Sequence, residues 1–67
     1  MPTIDERRAF ARGHVEWGRK VITRQQQYVQ ELKENGRDTE AAEKLLAVFE
    51  RTQKVFEYDL AVLEKRK

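Results

Sequence analysis

Apolar residues recur at alternating intervals of three and four along two stretches of the chain, which the polar segment 35–38 separates. The first stretch carries two interleaved rows with a seven-residue period: Val15, Ile22 and Val29, and beside them Ile4, Ala11, Gly18, Gln25 and Leu32. The second stretch carries the corresponding rows Leu46, Gln53 and Leu60, and Ala42, Phe49, Phe56 and Leu63. This spacing is typical of a coiled-coil seam. It predicts two long helices that pack against each other.

The start of the first helix is marked in the sequence. Thr3 followed by Glu6 is a capping box, in which each side chain satisfies a backbone N–H that has no helical partner. We therefore expect this helix to begin at about residue 4 and to continue to about residue 34.

The segment 35–38 predicts a turn. Asn35 and Gly36 readily adopt the left-handed backbone geometry that ends helices, and Asp38 or Thr39 can cap a second helix that runs from about residue 39 to about residue 65. The 67 residues are thus predicted to form one all-α domain, an antiparallel two-helix hairpin with coiled-coil-like packing.

Glycine within a helix costs about 1 kcal/mol relative to alanine, so Gly18 in the first seam calls for a reason. In the register that we expect for the hairpin, Gly18 lies close to Phe56, where the absent side chain makes room for the ring. The same register places Ile22 near Gln53. The plainer interpretation is a tolerated glycine with no partner.

Both predicted helices carry more apolar surface than one seam requires, since a helix that covers a single neighbour needs an apolar stripe only about 100° wide. The additional residues of the second helix are Leu45, Val48, Val55 and Val62, and those of the first are Val21 and Tyr28. We interpret these six residues as an oligomer interface. Two hairpins would form a homodimeric four-helix bundle, in which Gln25 and Gln53 are polar layers that fix the register. A helix or groove of another protein, or a monomer with curved helices, could also cover the surface.

The size of the chain favours association. Below about 70 to 80 residues, small folds usually depend on disulfides, a metal ion, oligomerisation or very well idealised packing. The sequence contains no cysteine and one histidine, which closes the disulfide route and the common zinc route.

No residue pattern indicates catalysis. His14 has no second histidine and no cysteine with which to complete a metal site, so we expect an ordinary packed or half-exposed histidine. Serine and cysteine are absent, and the three glycines form no phosphate-binding loop. The sequence therefore predicts a protein that is not an enzyme and uses no cofactor.

Phe10 and Trp17 lie one heptad apart among basic residues of the first helix, and with Arg12, Arg19 and Lys20 they form a candidate contact surface for a second protein. Basic residues interleaved with aromatics can also bind nucleic acid, which is the alternative function. The plainer interpretation is that this basic helix lies beside the more acidic second helix. The net charge of +2 does not require a polyanionic partner, and the sequence pI of about 9.2 owes much to the tail 65–67.

The sequence has no apolar run long enough to span a membrane and no signal-peptide pattern at its start, so we expect a cytoplasmic protein. The stretch from Gly36 to Gln53, together with the preceding helix rich in Gln and Arg, resembles a group of short helical-hairpin proteins of alphaproteobacteria. This resemblance implies a cytosolic all-α bacterial protein and implies no activity, cofactor or binding residue.

Overall fold

A computed structural model describes residues 1–65, which form two helices, α1 (Ile4–Glu34) and α2 (Glu40–Lys65). They lie side by side in an elongated hairpin of 51 × 18 × 14 Å. The prediction of an all-α hairpin of two packed helices is confirmed. Arg66 and Lys67 of the predicted basic tail lie outside the described residues.

The capping box at the start of α1 is present. The Thr3 Oγ1 accepts a hydrogen bond from the Glu6 N–H at 3.1 Å, and the Glu6 Oε1 accepts one from the Thr3 N–H at 3.4 Å. Asp5 and Glu6 lie in the first turn, where the positive end of the helix dipole stabilises their negative charges.

Gly36 is the residue that ends α1. Its φ of 66° is left-handed, and the N–H of Arg37 donates to the Leu32 carbonyl at 2.8 Å while the N–H of Gly36 donates to the Lys33 carbonyl at 3.1 Å. These two bonds form a Schellman motif. Asn35, in contrast to the prediction, is not left-handed, since its φ is −90°.

Asp38 caps α2. Its Oδ1 accepts a hydrogen bond from the N–H of Glu40 at 3.0 Å, which satisfies one of the free donors at the start of the helix. At the other end, the Arg8 Nε donates to the Leu63 carbonyl at 3.0 Å, in the last turn of α2. The Asp38 cap thus stabilises the start of α2 at the turn, and the Arg8 bond joins α1 to α2 at the opposite end of the hairpin.

The core between the helices is thin. Val15 is 4% exposed, and the other buried hydrophobic residues are Ala11, Val29 and Ala42. No side chain among the described residues falls below 2% exposure. A hairpin with so little enclosed volume gains less from burial than an ordinary small domain does.

Gly18 and Phe56 border the same small cavity, but the prediction that the ring fills the space left by the glycine is wrong. A Cβ at Gly18 would overlap the Gln53 Oε1 and lie 2.8 Å from the Gln53 Cδ, so the glutamine occupies the space that the glycine leaves. Phe56 instead stacks on the His14 ring, with centroids 5.2 Å apart. The helices are therefore shifted by about one turn from the predicted register. The shift brings the Gln53 Nε2 to 2.8 Å from the Val15 carbonyl, to which it donates.

Gln25 and Gln53 act within the hairpin. The Gln25 Nε2 on α1 donates to the Ala42 carbonyl on α2 at 2.9 Å, and Gln53 on α2 makes the reciprocal bond to α1. A polar group that slides out of register would lose such a bond and stay partly desolvated. The two glutamines thus fix the register of α1 against α2, whereas the sequence predicted that they fix the register between two hairpins.

Candidate interaction surface

One edge of the hairpin is ionic. The Arg12 Nε lies 3.4 Å from the Glu64 Oε1, and the Lys33 Nζ lies 3.5 Å from the Glu43 Oε1. Each bond joins α1 to α2, and the glutamates belong to a seven-residue row that runs through Glu43, Glu50, Glu57 and Glu64. These side chains are about half exposed, so each pair stabilises the hairpin by no more than about 1 kcal/mol. We call this edge the ionic edge.

The opposite side of the hairpin is apolar. It carries the predicted interface residues of both helices and the two aromatic residues of the predicted partner contact, and we call it the apolar face: Phe10, Trp17, Val21 and Tyr28 on α1, and Leu45, Val48, Val55 and Val62 on α2. Val21 is half-buried, and the other seven are exposed. The exposed fractions of Phe10, Trp17 and Val55 are 61%, 58% and 57%. The structure thus merges two surfaces that the sequence analysis kept apart.

Three depressions on the apolar face show that it spans both helices. One depression lies at the open end of the hairpin, which is the end opposite the turn. It has a volume of about 490 Å³, and its lining includes Phe10, His14, Phe56 and Val62. The one at the turn has about 600 Å³, and its lining includes Tyr28, Leu32, Ala41 and Leu45. A small cavity of about 20 Å³ lies midway, between Trp17, Val21, Phe49 and Thr52. The apolar face is therefore continuous along the length of the hairpin.

Thr52 belongs to the apolar face despite its hydroxyl group. Its Oγ1 donates to the Val48 carbonyl at 3.0 Å, within α2. The hydroxyl is therefore satisfied locally, and the side chain can offer its methyl group to a neighbour. Sequence reasoning did not include Thr52, because only the structure shows where its hydroxyl is directed.

Gln53 is the buried polar residue beneath the apolar face. It is 5% exposed, and its Oε1 has no hydrogen-bond partner among the described residues. The oxygen lies against the Cα of Gly18, where a C–H···O contact is the contact that remains to it. The two helices therefore approach each other closely at the level of Gly18 and Gln53.

The predicted basic contact residues do not form one surface with Phe10 and Trp17. Arg12 lies on the ionic edge, paired with Glu64. Arg19 and Lys20 line a shallow depression of about 330 Å³ on the outer side of α1, together with Thr23 and Arg24. Arg19, Lys20 and Arg24 form no ion pair with any residue in the range 1–65.

Nothing in the described part of the chain assembles a reactive site. Within residues 1–65, no three His, Cys, Asp or Glu side chains are grouped so that they could hold a metal ion. His14 is stacked on Phe56 and lines the depression at the open end. Within the same residues, neither helix has a stretch apolar enough to cross a bilayer.

Comparison with known proteins gives no match: no protein-family model, no curated protein and no solved structure matches the chain. The resemblance to short alphaproteobacterial hairpin proteins stays a prediction.

Proposed function

We propose that the protein is a non-enzymatic helical interaction module that self-associates, with two hairpins packed through their apolar faces in a homodimeric four-helix bundle. The observation that supports this most directly is the single apolar face, which spans both helices and lies opposite an edge that the hairpin uses for its own ion pairs. A protein that exposes a continuous apolar surface of this length usually covers it with another protein surface.

The angular arrangement of the apolar residues fits a bundle. At 100° per residue, the apolar-face residues of each helix lie roughly 110° from the seam that faces the other helix of the hairpin. In a four-helix bundle each helix contacts two neighbours at about a right angle to each other. Each helix therefore has one seam for its partner in the hairpin and a second for a helix of another copy.

The accessible surface area of the single hairpin is also consistent with dimerisation. The accessible surface is 5525 Å², whereas a compact monomer of this mass exposes only about 4,500 Å². The difference of roughly 1,000 Å² is close to the roughly 800 Å² that each partner buries in a stable protein interface.

Val55→Glu tests the proposal. Each dimer would carry two carboxylates in an apolar contact, so we expect the dissociation constant of the dimer to rise by roughly thirtyfold. The helix content should stay close to that of the wild type, because Val55 is 57% exposed in the hairpin and outside its seam. Molar mass over a concentration series, by light scattering or analytical ultracentrifugation, measures this effect.

Ala47→Glu is the matched control. It adds the same charge to the side of α2 away from the apolar face, where Ala47 is exposed. The control should keep the wild-type mass at every concentration. A wild-type protein that is monomeric at about 100 µM, far above a micromolar dissociation constant, would contradict the proposal.

A second candidate function, nucleic-acid binding, is favoured by Arg19, Lys20 and Arg24 on the outer side of α1, which form no ion pair with the residues that the structure describes. If these cations neutralise phosphates, the affinity for a labelled duplex or single strand should fall steeply between about 50 and 200 mM salt. Lys20→Glu should then weaken binding further, whereas assembly through the apolar face should be nearly independent of salt. If the protein is instead the self-associating interaction module proposed above, we expect no nucleic-acid binding at about 200 mM salt.

A further inference from the structure

The apolar face gives α1 a second seam of alternating three- and four-residue spacing. Its members are Arg7, Phe10, His14, Trp17, Val21, Arg24, Tyr28 and Glu31. When two such rows run in opposite directions about a centre near residue 19, Phe10 meets Tyr28 of the second copy and Trp17 meets Val21 of the second copy. The row is therefore complementary to itself when it is reversed.

The charges at the two ends of this row agree with the reversed alignment. Arg7 and Glu31 form no ion pair within residues 1–65. Arg7 lies near the positive end of the α1 dipole and Glu31 near the negative end, which is the less favourable order for an isolated helix. In the reversed alignment Arg7 faces Glu31 of the second copy at both ends of the seam.

The remaining polar level of this seam is compatible with the same alignment. His14 meets Arg24 of the second copy, and a neutral imidazole offers a guanidinium group an acceptor nitrogen. The stack of His14 on Phe56 leaves the edge of the imidazole beside the open-end depression, which His14 lines. No level of the α1 seam therefore buries two like fixed charges against each other.

The second seam of α2 is complementary to itself about Thr52. Its members are Ala41, Leu45, Val48, Thr52, Val55, Asp59 and Val62. When the row is reversed, Val48 meets Val55 of the second copy and Ala41 meets Val62 of the second copy, so these levels are apolar, whereas Leu45 meets Asp59 of the second copy. Thr52 meets its own counterpart, with its hydroxyl already bonded to the Val48 carbonyl.

The hairpin holds these two centres at one level. Gly18 on α1 is in contact with Gln53 on α2, and Trp17, Val21 and Thr52 surround the same small cavity. In this dimer the two-fold axis lies in the interface and runs across both helices, perpendicular to their length. It therefore passes α1 and α2 at the same height along the hairpin. The register that the Gln53 bond fixes therefore brings the centre of each second seam onto a common axis.

We propose that the second copy binds in antiparallel orientation, with α1 against α1 and α2 against α2, and with the two-fold axis at the level of Trp17, Val21 and Thr52. This inference rests on the proposed function and specifies its partner, its orientation and its register. The two turns then lie at opposite ends of the bundle, and Arg7 of each copy pairs with Glu31 of the other.

The parallel orientation fits less well. It stacks α1 on α2 of the second copy, so the pairs between Arg7 and Glu31 are not formed, and Arg7 meets an end of α2 that carries Asp59 and Glu64 as well as Lys65. An antiparallel dimer shifted by one heptad is also disfavoured, because Arg7 would face Arg24 of the second copy.

A spin-label distance tests the orientation. The chain lacks cysteine, so Arg37→Cys introduces a single labelling site in the turn, at an exposed residue that borders the turn depression and is not a member of either seam. At a rise of 1.5 Å per residue, the antiparallel dimer separates the two labels by roughly 45–50 Å. Parallel hairpins with helices about 10 Å apart would bring them within roughly 25 Å.

Charge reversal tests the register independently. Arg7→Glu and Glu31→Arg each place like charges at both ends of the dimer, and each should raise the dissociation constant roughly tenfold. The double variant Arg7→Glu with Glu31→Arg should return within roughly twofold of the wild type, since the pairs are restored with opposite sign. Each single change introduces a charge that the α1 dipole stabilises, so the hairpin should stay folded. Lys54→Glu, on α2 away from the apolar face, is the control for a charge reversal outside the seams.

The outcomes separate the two proposals. A dimer with a long label distance and a rescued double variant supports the orientation and the register. A dimer with a short label distance, or one whose double variant is as weak as the two single changes combined, overturns this inference and leaves the proposed function standing. A monomer at about 100 µM overturns both.

Discussion

Gly18→Leu should lower the free energy of unfolding by about 2–3 kcal/mol, although leucine is much the better helix former. The substituted side chain would enter the space that the Gln53 amide occupies. Gln53 would have to leave, with the loss of its 2.8 Å bond to the Val15 carbonyl. A buried amide without its partner costs about 1–3 kcal/mol, which exceeds the gain in helix propensity of about 0.8 kcal/mol. Chemical denaturation followed by circular dichroism, at one fixed protein concentration, measures the change.

Gly13→Leu is the control that the chain itself offers. A Cβ at Gly13 would meet nothing within 4 Å, so leucine there should stabilise the protein by about 0.5–1 kcal/mol through helix propensity alone. The two glycines lie in the same helix and receive the same side chain. If Gly18→Leu were as stable as Gly13→Leu, Gln53 would not occupy the seam as described.

A double-mutant cycle isolates the contact between Gly18 and Gln53. Gly18→Ala alone should destabilise, because even a methyl group at this position overlaps the Gln53 Oε1. In a Gln53→Ala background the same change should instead stabilise, since the obstructing amide is absent. The sign reversal gives a coupling energy of about 1–2 kcal/mol, within the usual range for residues in direct contact.

The fold was largely predictable because its signals are local. Thr3 and Glu6 specify a helix start, Gly36 specifies a helix end, and the three- and four-residue spacing specifies which faces meet. The register was not predictable from these signals. It depends on an amide of Gln53 reaching a backbone carbonyl past Gly18, and carbonyl positions leave no trace in a sequence pattern.

The candidate site was predictable in its residues and not in its arrangement. The seven-residue rows through Val55 and Trp17 mark excess apolar surface on each helix, but which rows share a side depends on how the hairpin closes. The ion pairs of Arg12 and Lys33 settle this, because they place one edge of both helices together and leave the apolar rows on the other side. Pairing the glutamate row of α2 with the cations of α1 would have indicated the same arrangement from sequence.

Trp17→Ala should raise the dissociation constant of the dimer by at least about 100-fold, the largest effect that we expect on assembly. Trp17 borders the central cavity with Val21 and Thr52 and is 58% exposed in the single hairpin. The proposed two-fold axis passes at this level, so each dimer loses two indole rings from the middle of its interface. Anchoring aromatic residues near an interface centre commonly contribute 2 kcal/mol or more each.

Tyr58→Ala is the matched control, because it also removes an exposed aromatic ring. Tyr58 is 70% exposed and borders the apolar face at the open end, away from the axis, so its loss should change the dissociation constant by less than about threefold. Thermal melts at several concentrations should show a smaller dependence on concentration for Trp17→Ala than for the wild type.

Trp17 is also the only tryptophan in the chain, so the wild-type protein reports on its own interface. An indole that loses water on assembly emits at shorter wavelength, and dilution through the dissociation constant should therefore shift the emission to longer wavelength. The midpoint of this shift should coincide with the midpoint of the change in molar mass. If the mass halves on dilution while the emission stays constant, or if Trp17→Ala dimerises as tightly as the wild type, Trp17 lies outside the dimer contact. The indole would then be free to bind a different protein, as the sequence first suggested for Phe10 and Trp17.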